Sequence, residues 1–196
     1  MDFLIDSRAS VSALEADDDP DLDERHWAYF DRFADALTAR GPVLGPDRQS
    51  WTGSIHVLDL PSPAAVLEFI NNEPYHQAGA YGEHSVWRFT NLIGRTMWDF
   101  RQPWDGPLFF TLVRPGRSTA SEDGEAVQLS SDVARDLAVC GILEDVDAES
   151  SAGSGVAVAA PAPNRHAANE LFEKVFPSLA REPREVRDWR FGGRRA

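Results

Sequence analysis

The sequence predicts an α+β fold in which one β-α-β-α-β unit is written twice along 196 residues, with the two sheets packed together inside one chain. Three observations carry this expectation. Each half opens on a short apolar stretch, residues 3–5 and 108–113, and runs through a polar, acidic segment into helix-spaced apolar residues. Each half then carries a glycine-led strand pattern, Thr52-Gly53-Ser54-Ile55-His56-Val57-Leu58 against Ala152-Gly153-Ser154-Gly155-Val156-Ala157-Val158. Finally, six such correspondences keep the same order, with offsets drifting only from 100 to 103 residues, which is how an internal repeat announces itself.

The elements follow in order. Phe30, Phe33, Ala34 and Leu37 recur at helical spacing, as do Val133, Ala134 and Leu137, and both helices are expected to stop at a glycine cap, Gly41 and Gly141. An additional short strand can begin near Pro42. The two glycine-led strands alternate apolar residues and are bounded by Pro61 and Pro161. A second helix follows in each half, over 64–72 and 167–175, and ends ahead of Pro74 or Pro177. Trp87-Arg88-Phe89 closes the first half and is answered by Trp189-Arg190-Phe191. Two helices on one face of a sheet leave the opposite face apolar, and the second copy is the economical partner for it. The expected units are 1–94 and 107–196, joined by a linker over 95–106 in which Met97, Trp98, Phe100 and Trp104 suggest docking.

Composition narrows the function. A net charge of −13, from 19 basic and 32 acidic residues, argues against a nucleic-acid surface, which needs clustered Lys and Arg. Glu15, Asp17, Asp18, Asp19, Asp21, Asp23 and Glu24 read as a solvated loop entering a helix N-terminus, where carboxylates favour the dipole. No apolar run approaches membrane-spanning length and no signal-peptide pattern opens the chain, so the expected compartment is the cytoplasm. Cys140 alone allows neither an internal disulfide nor a cysteine metal cluster, and one before a glycine in the second half it makes a poor nucleophile candidate.

The first half resembles the YCII-related (YciI-like) family. The resemblance covers about residues 1–100 and rests on Arg25-His26-Trp27, Arg40-Gly41-Pro42, Thr52-Gly53-Ser54, Glu73-Pro74-Tyr75 with Ala78-Gly79, and Trp87-Arg88-Phe89. It implies ferredoxin-like α+β units, here as tandem ferredoxin-like repeats forming an intrachain pseudo-dimeric α+β barrel. It also implies an active-site pair of a histidine early in the first helix and an aspartate just before Pro-Tyr. Those positions are His26 and Glu73, the glutamate adding one methylene to the reach.

Spacing alone leads to the same two residues. His26 lies four before Phe30 and seven before Phe33, so it shares the sheet-facing stripe of its helix. Glu73 lies four after Phe69 and seven after Val66, continuing the buried face of the second helix. A buried carboxylate is costly unless paired, and a His–Glu pair is either a proton-transfer couple, the carboxylate setting the tautomer, or a structural contact between helices. The second half favours the first reading, because Ala126 and Phe176 stand where His26 and Glu73 would fall while the apolar positions, glycines and prolines persist. Ser54 and His56 share a strand face and are candidate substrate contacts, His56 alternatively being a half-buried strand histidine matched by Val156. Tyr75 and Trp27 are candidate pocket walls. Arg88, matched by Arg190, reads as architectural; His76 and His84 read as exposed, and Gly192-Gly193 as a tail. No ligand-spacing motif points to a metal built from His26, His56 and Glu73, and no glycine-rich phosphate loop occurs, so no metal or cofactor is expected.

The expectation is therefore a small cofactor-free enzyme of lyase or isomerase type. His26 and Glu73 would transfer a proton on a small cyclic or aromatic molecule, and the chain would be a monomer or weak oligomer. The alternative is a non-catalytic small-ligand-binding or interaction protein on the same barrel; a cofactor-independent monooxygenase has no positive signature.

Overall fold

The computed structural model describes residues 1–11, 19–101, 104–116, 129–146 and 154–193; Glu15, Asp17, Asp18, Ala126, Ala152 and Gly153 lie outside them. The strands are β1 (Asp2–Ala9), β2 (Leu37–Leu44), β3 (Trp51–Asp59), β4 (Tyr81–Asn91), β5 (Leu108–Val113), β6 (Val139–Asp145), β7 (Gly155–Pro161) and β8 (Glu185–Trp189). They close into an antiparallel barrel in the order β1-β3-β2-β8-β5-β7-β6-β4. Residues up to 91 contribute the run β4-β1-β3-β2, those after 107 the run β8-β5-β7-β6, and the seams are β2 with β8 and β4 with β6.

Strand periodicity sorts the side chains into three layers. One face of each strand fills the barrel interior, where Leu4, Ile55, Val57 and Trp87 meet Phe110, Leu112, Ala157 and Trp189. The other face of the first sheet, with Phe3, Ile5 and Leu58, packs on α1 (Leu22–Asp31) and α2 (Pro63–Asn72) through Tyr29, Phe30, Val66, Phe69 and Ile70. On the far side Cys140, Val156 and Val158 pack on α5 (Arg165–Val175) through Phe172 and Phe176. Covered on both faces, β5 and β7 read as nearly continuous apolar runs, whereas β1 and β3 also bury Asp6, Ser7, Ser54 and His56. One interior pair is charged: Arg187 donates to both carboxylate oxygens of Asp6 (2.8 and 3.1 Å). That fork joins the two halves and satisfies a carboxylate that is 1% exposed.

The first helix of each half is shorter than its spacing suggests, whereas the second spans Pro63–Asn72 or Arg165–Val175, close to expectation. α1 begins with Asp23 and Glu24 in its first turn, favourable to the dipole, and buries Leu22, His26, Tyr29 and Phe30. It stops at Asp31, tight turns follow (Phe33 N to Phe30 O, 2.9 Å), and Leu37 opens β2. The corresponding α4 (Ser131–Arg135) is only 5 residues long. Gly41 and Gly141 are therefore not helix caps, and neither has a positive φ. Both lie in seam strands, where a Cβ on Gly41 would sit 2.0 Å from Arg190 O and one on Gly141 2.2 Å from the Phe89 ring. Close strand approach, which also excludes a side chain, is what requires glycine here. The strand suspected near Pro42 is the end of the full-length β2.

Two expected correspondences slip by two residues. Gly41 pairs with Ile55 and Gly141 with Ala157, so His56 corresponds to Val158 rather than Val156. Leu4 faces Trp87 while Phe110 faces Arg187, so Phe89 corresponds to Trp189, and Arg190 is not the counterpart of Arg88. A slip of two leaves every side chain on its own face, so the apolar pattern does not register the error. Between β4 and β5, Met97 is buried in the barrel core with Trp98 and Phe100 against it, and Trp104 is 43% exposed. Among the described residues no helix is long and apolar enough to cross a membrane.

Candidate active site

Glu73 stands at the junction of α2 and the short α3 (Pro74–Gln77), as C-cap of one and N-cap of the other. Its backbone leaves the helical region (φ −74°, ψ 127°), as a residue before proline must. Oε2 accepts from His76 N at 2.8 Å, which caps α3, and Oε1 lies 2.6 Å from His26 Nδ1. Glu73 is 3% and His26 7% exposed, and bonds on both oxygens make that burial tolerable. On the other side of the imidazole, Arg40 Nη2 lies 3.4 Å from Nε2. A guanidinium only donates and a carboxylate only accepts, so the arrangement suits an imidazole that donates from Nδ1 to Glu73 and turns a lone pair on Nε2 towards Arg40. The Tyr75 ring stacks on His26 at 4.3 Å between centroids.

Arg40 comes from β2, opposite His56 on β3. It is buried, with its guanidinium over Trp27 (4.5 Å) and Phe30 (4.2 Å). Burial first, and the charge of Arg40 next, hold the His56 imidazole well below the usual histidine range, so it is neutral. Ser54 accepts from Trp51 Nε1 at 3.2 Å. Burial, then the Glu73 charge, pushes the Tyr81 hydroxyl well above the ordinary phenol range.

These side chains border a cavity of about 450 Å³ on the helix side of the first sheet. Of the residues singled out in the sequence, His26, Trp27, Ser54, His56 and Tyr75 all line it, with Glu73 behind His26. Arg40 and Trp51 were not singled out, yet line it too. Arg40 was quoted in the Arg40-Gly41-Pro42 motif but not as a site residue, because its segment read as a helix end, hiding which face it points from. The segment after β8 is also part of the wall: Arg190 and Gly192 line the cavity, and Gly192 N donates to Arg40 O at 2.8 Å. It is not a mere tail.

His76 and His84 also depart from expectation. They are half-buried and linked, His76 Nδ1 to His84 Nε2 at 2.9 Å and His84 Nδ1 to Ser7 Oγ at 2.9 Å. Arg88 donates to Val146 O at 2.7 Å. Among the described residues no three His, Cys, Asp or Glu side chains converge as a metal-ligand group. Among the described residues of the second half, those placed like Glu73, Arg40 and His56 are apolar or a thiol. Phe176 caps α5 and precedes Pro177 as Glu73 precedes Pro74, and it is buried against Phe172. Cys140 faces Val158 where Arg40 faces His56; burial pushes its thiol up to about 12.

Residues 1–90 match the family model of the YCII-related domain. No curated protein matches the chain. Among solved structures, chlorite dismutase from Candidatus Nitrospira defluvii, determined in complex with imidazole, is 6% identical with a TM-score of 0.53; the match covers 96% of this chain and 90% of that one. At that identity the likeness speaks for the barrel fold. The 5-chloro-2-hydroxyhydroquinone dehydrochlorinase of Burkholderia phenoliruptrix, in complex with 2,5-dihydroxybenzoquinone, is 26% identical over 46% of this chain and 95% of that one, with a TM-score of 0.41.

Proposed function

With residues 1–90 a YCII-related domain, we propose that the protein is a small-molecule enzyme in which His26 moves a proton during elimination or isomerisation of a small cyclic or aromatic compound. The observation that carries this reading is the His26–Glu73 contact at 2.6 Å, with the opposite edge of the imidazole bordering the cavity. Nε2 takes a proton from the bound compound, and Glu73, already bonded to Nδ1, stabilises the imidazolium and fixes its orientation. The same imidazolium then returns the proton to a leaving group or to another carbon. Trp27, Trp51 and Tyr75 offer flat walls for a ring, and Ser54 and His56 lie within the same cavity. A volume of about 450 Å³ suits one substituted ring. Space left open beside His26 favours turnover or binding over a scaffold that fills it with side chains.

We also infer that the chain arose by internal duplication, with units 1–94 and 107–196 joined by 95–106. The matching strand orders and pairing registers of the two runs support this. Chemistry is needed in one copy only, which accounts for the apolar residues at the second copy's equivalents of Glu73, Arg40 and His56.

The test is proton exchange. Cyclic enones and hydroxyquinones incubated with the protein in deuterated water should exchange a C–H faster than without it. His26→Ala and Glu73→Gln should each lower that rate by about 100-fold or more while leaving the melting temperature nearly unchanged. Two variants that unfold would make the pair structural; two that fold and stay fully active would move the chemistry away from His26.

A further inference from the structure

We propose that Tyr81 and Ser54 form a hydrogen-bond relay that presents one donor to the cavity, and that this donor recognises the carbonyl oxygen of a neutral ring ketone. Tyr81 is the positioning member, acting through Ser54. Its ring is buried against Trp51 (5.3 Å between centroids) and Tyr75 (6.1 Å). Its hydroxyl meets no hydrogen-bond partner at normal geometry among the described residues, and the polar side chain beside it is Ser54. A buried hydroxyl without a partner costs free energy. Such a group next to a cavity points to a bond that a ligand completes.

The direction of the relay follows from counting donors and acceptors. Ser54 lines the cavity, and its Oγ already accepts at 3.2 Å from the Trp51 indole, which only donates. A hydroxyl has one proton and two lone pairs. If a ligand donated to Ser54, the serine proton would turn to Tyr81, and the phenol proton would be stranded in a buried site. If a ligand accepts from Ser54, Tyr81 donates to the second serine lone pair and every proton is placed. Trp51 and Tyr81 then polarise the serine O–H together, which strengthens its outward bond. The charges around the cavity offset one another, Asp19 and Asp23 with Glu73 behind His26 against Arg40 and Arg190. A neutral acceptor therefore suits the pocket better than an ion, and a carbonyl oxygen is such an acceptor. A further consequence rests on the reading of His26 as the base. When Nε2 takes a proton from the carbon beside the carbonyl, the C–H electron pair becomes the enolate double bond. Negative charge then builds on the oxygen that Ser54 holds.

Acetophenone and α-methylstyrene share one skeleton and differ in the acceptor, a carbonyl oxygen against a methylene group. Titrated by calorimetry, acetophenone should bind Tyr81→Phe and Ser54→Ala at least about fivefold more weakly than it binds the wild-type protein. α-Methylstyrene should bind all three alike. The two losses should not add in the double variant, because one residue acts through the other. Infrared spectra should place the carbonyl band of bound, carbon-13-labelled acetophenone at lower wavenumber in the wild-type protein than in Tyr81→Phe, a difference that a purely structural role would not produce. Without ligand, Tyr81→Phe should melt no lower than the wild-type protein, since its hydroxyl has no bond to lose. Additive losses, equal carbonyl bands or equal weakening of both probes would overturn the proposal. A Tyr81→Phe variant that melts lower or fails to fold would make the hydroxyl structural and overturn it as well. His26→Ala should keep the response of acetophenone to Tyr81→Phe. If that response holds in a protein that exchanges no protons, the enzyme reading falls and the relay stands.

Discussion

Two histidines four to five ångströms from the same Phe30 ring (4.7 Å each) meet different fates, and the difference lies in their partners. His26 has a carboxylate; His56 has Arg40 across the strand pair and burial on all sides. The consequence of the second is a pH dependence whose sign can be worked out. Unfolded, a histidine takes its proton near 6.5, whereas His56 in the fold does so well below that value. Between those values the unfolded state holds more protons, so stability falls as pH drops below about 6.5. His84 acts in the same direction, lowered by burial first and then by His76. A fully buried group of this kind contributes a slope of up to about 1.4 kcal/mol per pH unit. The urea midpoint should therefore change little from pH near 7.5 to about 6.5 and decrease from there to near 5.5, and His56→Phe should flatten the decline. A midpoint that does not move over that range would mean His56 is charged or solvated. Of these side chains, helical spacing in the sequence was enough to point His26 and Glu73 inward. Arg40 was not legible, because its orientation depends on knowing that 37–44 is a strand.

Strand and helix boundaries were read less well than faces. Gly41 was legible as a constrained position but not for the right constraint: in one dimension a glycine after an apolar helix pattern looks like a cap, and only the seam between β2 and the chain after β8 reveals the close approach. Two-residue slips in matching β3 with β7 and β4 with β8 went unseen for a related reason, since alternation repeats every two residues. The glycine makes a prediction. With a Cβ 2.0 Å from Arg190 O, Gly41→Ala must push the segment after β8 outward, at a cost of about 1–3 kcal/mol. The variant should melt lower than the wild-type protein. An unchanged melting temperature would show that the seam yields without strain.

At the scale of the molecule, both seams join residues of one chain, and a closed barrel leaves no strand edge open for another subunit. A second chain is not needed to cover either sheet. Sedimentation equilibrium should thus give a monomer at micromolar concentrations, and an obligate dimer joined through the sheets would contradict the arrangement. The barrel was foreseeable because two α-over-β units of opposite burial need lie on one chain. The contribution of residues 190–193 to the first unit's cavity was not, because nothing in a glycine-rich segment records the surface it will cross. The cavity is consequently shared: the His26–Glu73 contact comes from residues up to 91, and part of the wall from residues after 107.

The central claim is that Glu73 holds His26 with a proton on Nδ1 and a lone pair on Nε2 at the cavity. Nitrogen chemical shifts of the His26 ring report this without any substrate. In the unliganded protein, at a pH where the ring is neutral, Nδ1 should carry the proton and Nε2 should not. In Glu73→Gln, whose amide can donate to Nδ1 in place of the carboxylate's acceptor, that preference should weaken or reverse. A wild-type ring protonated at Nε2, or a tautomer indifferent to the Glu73→Gln change, would contradict the account.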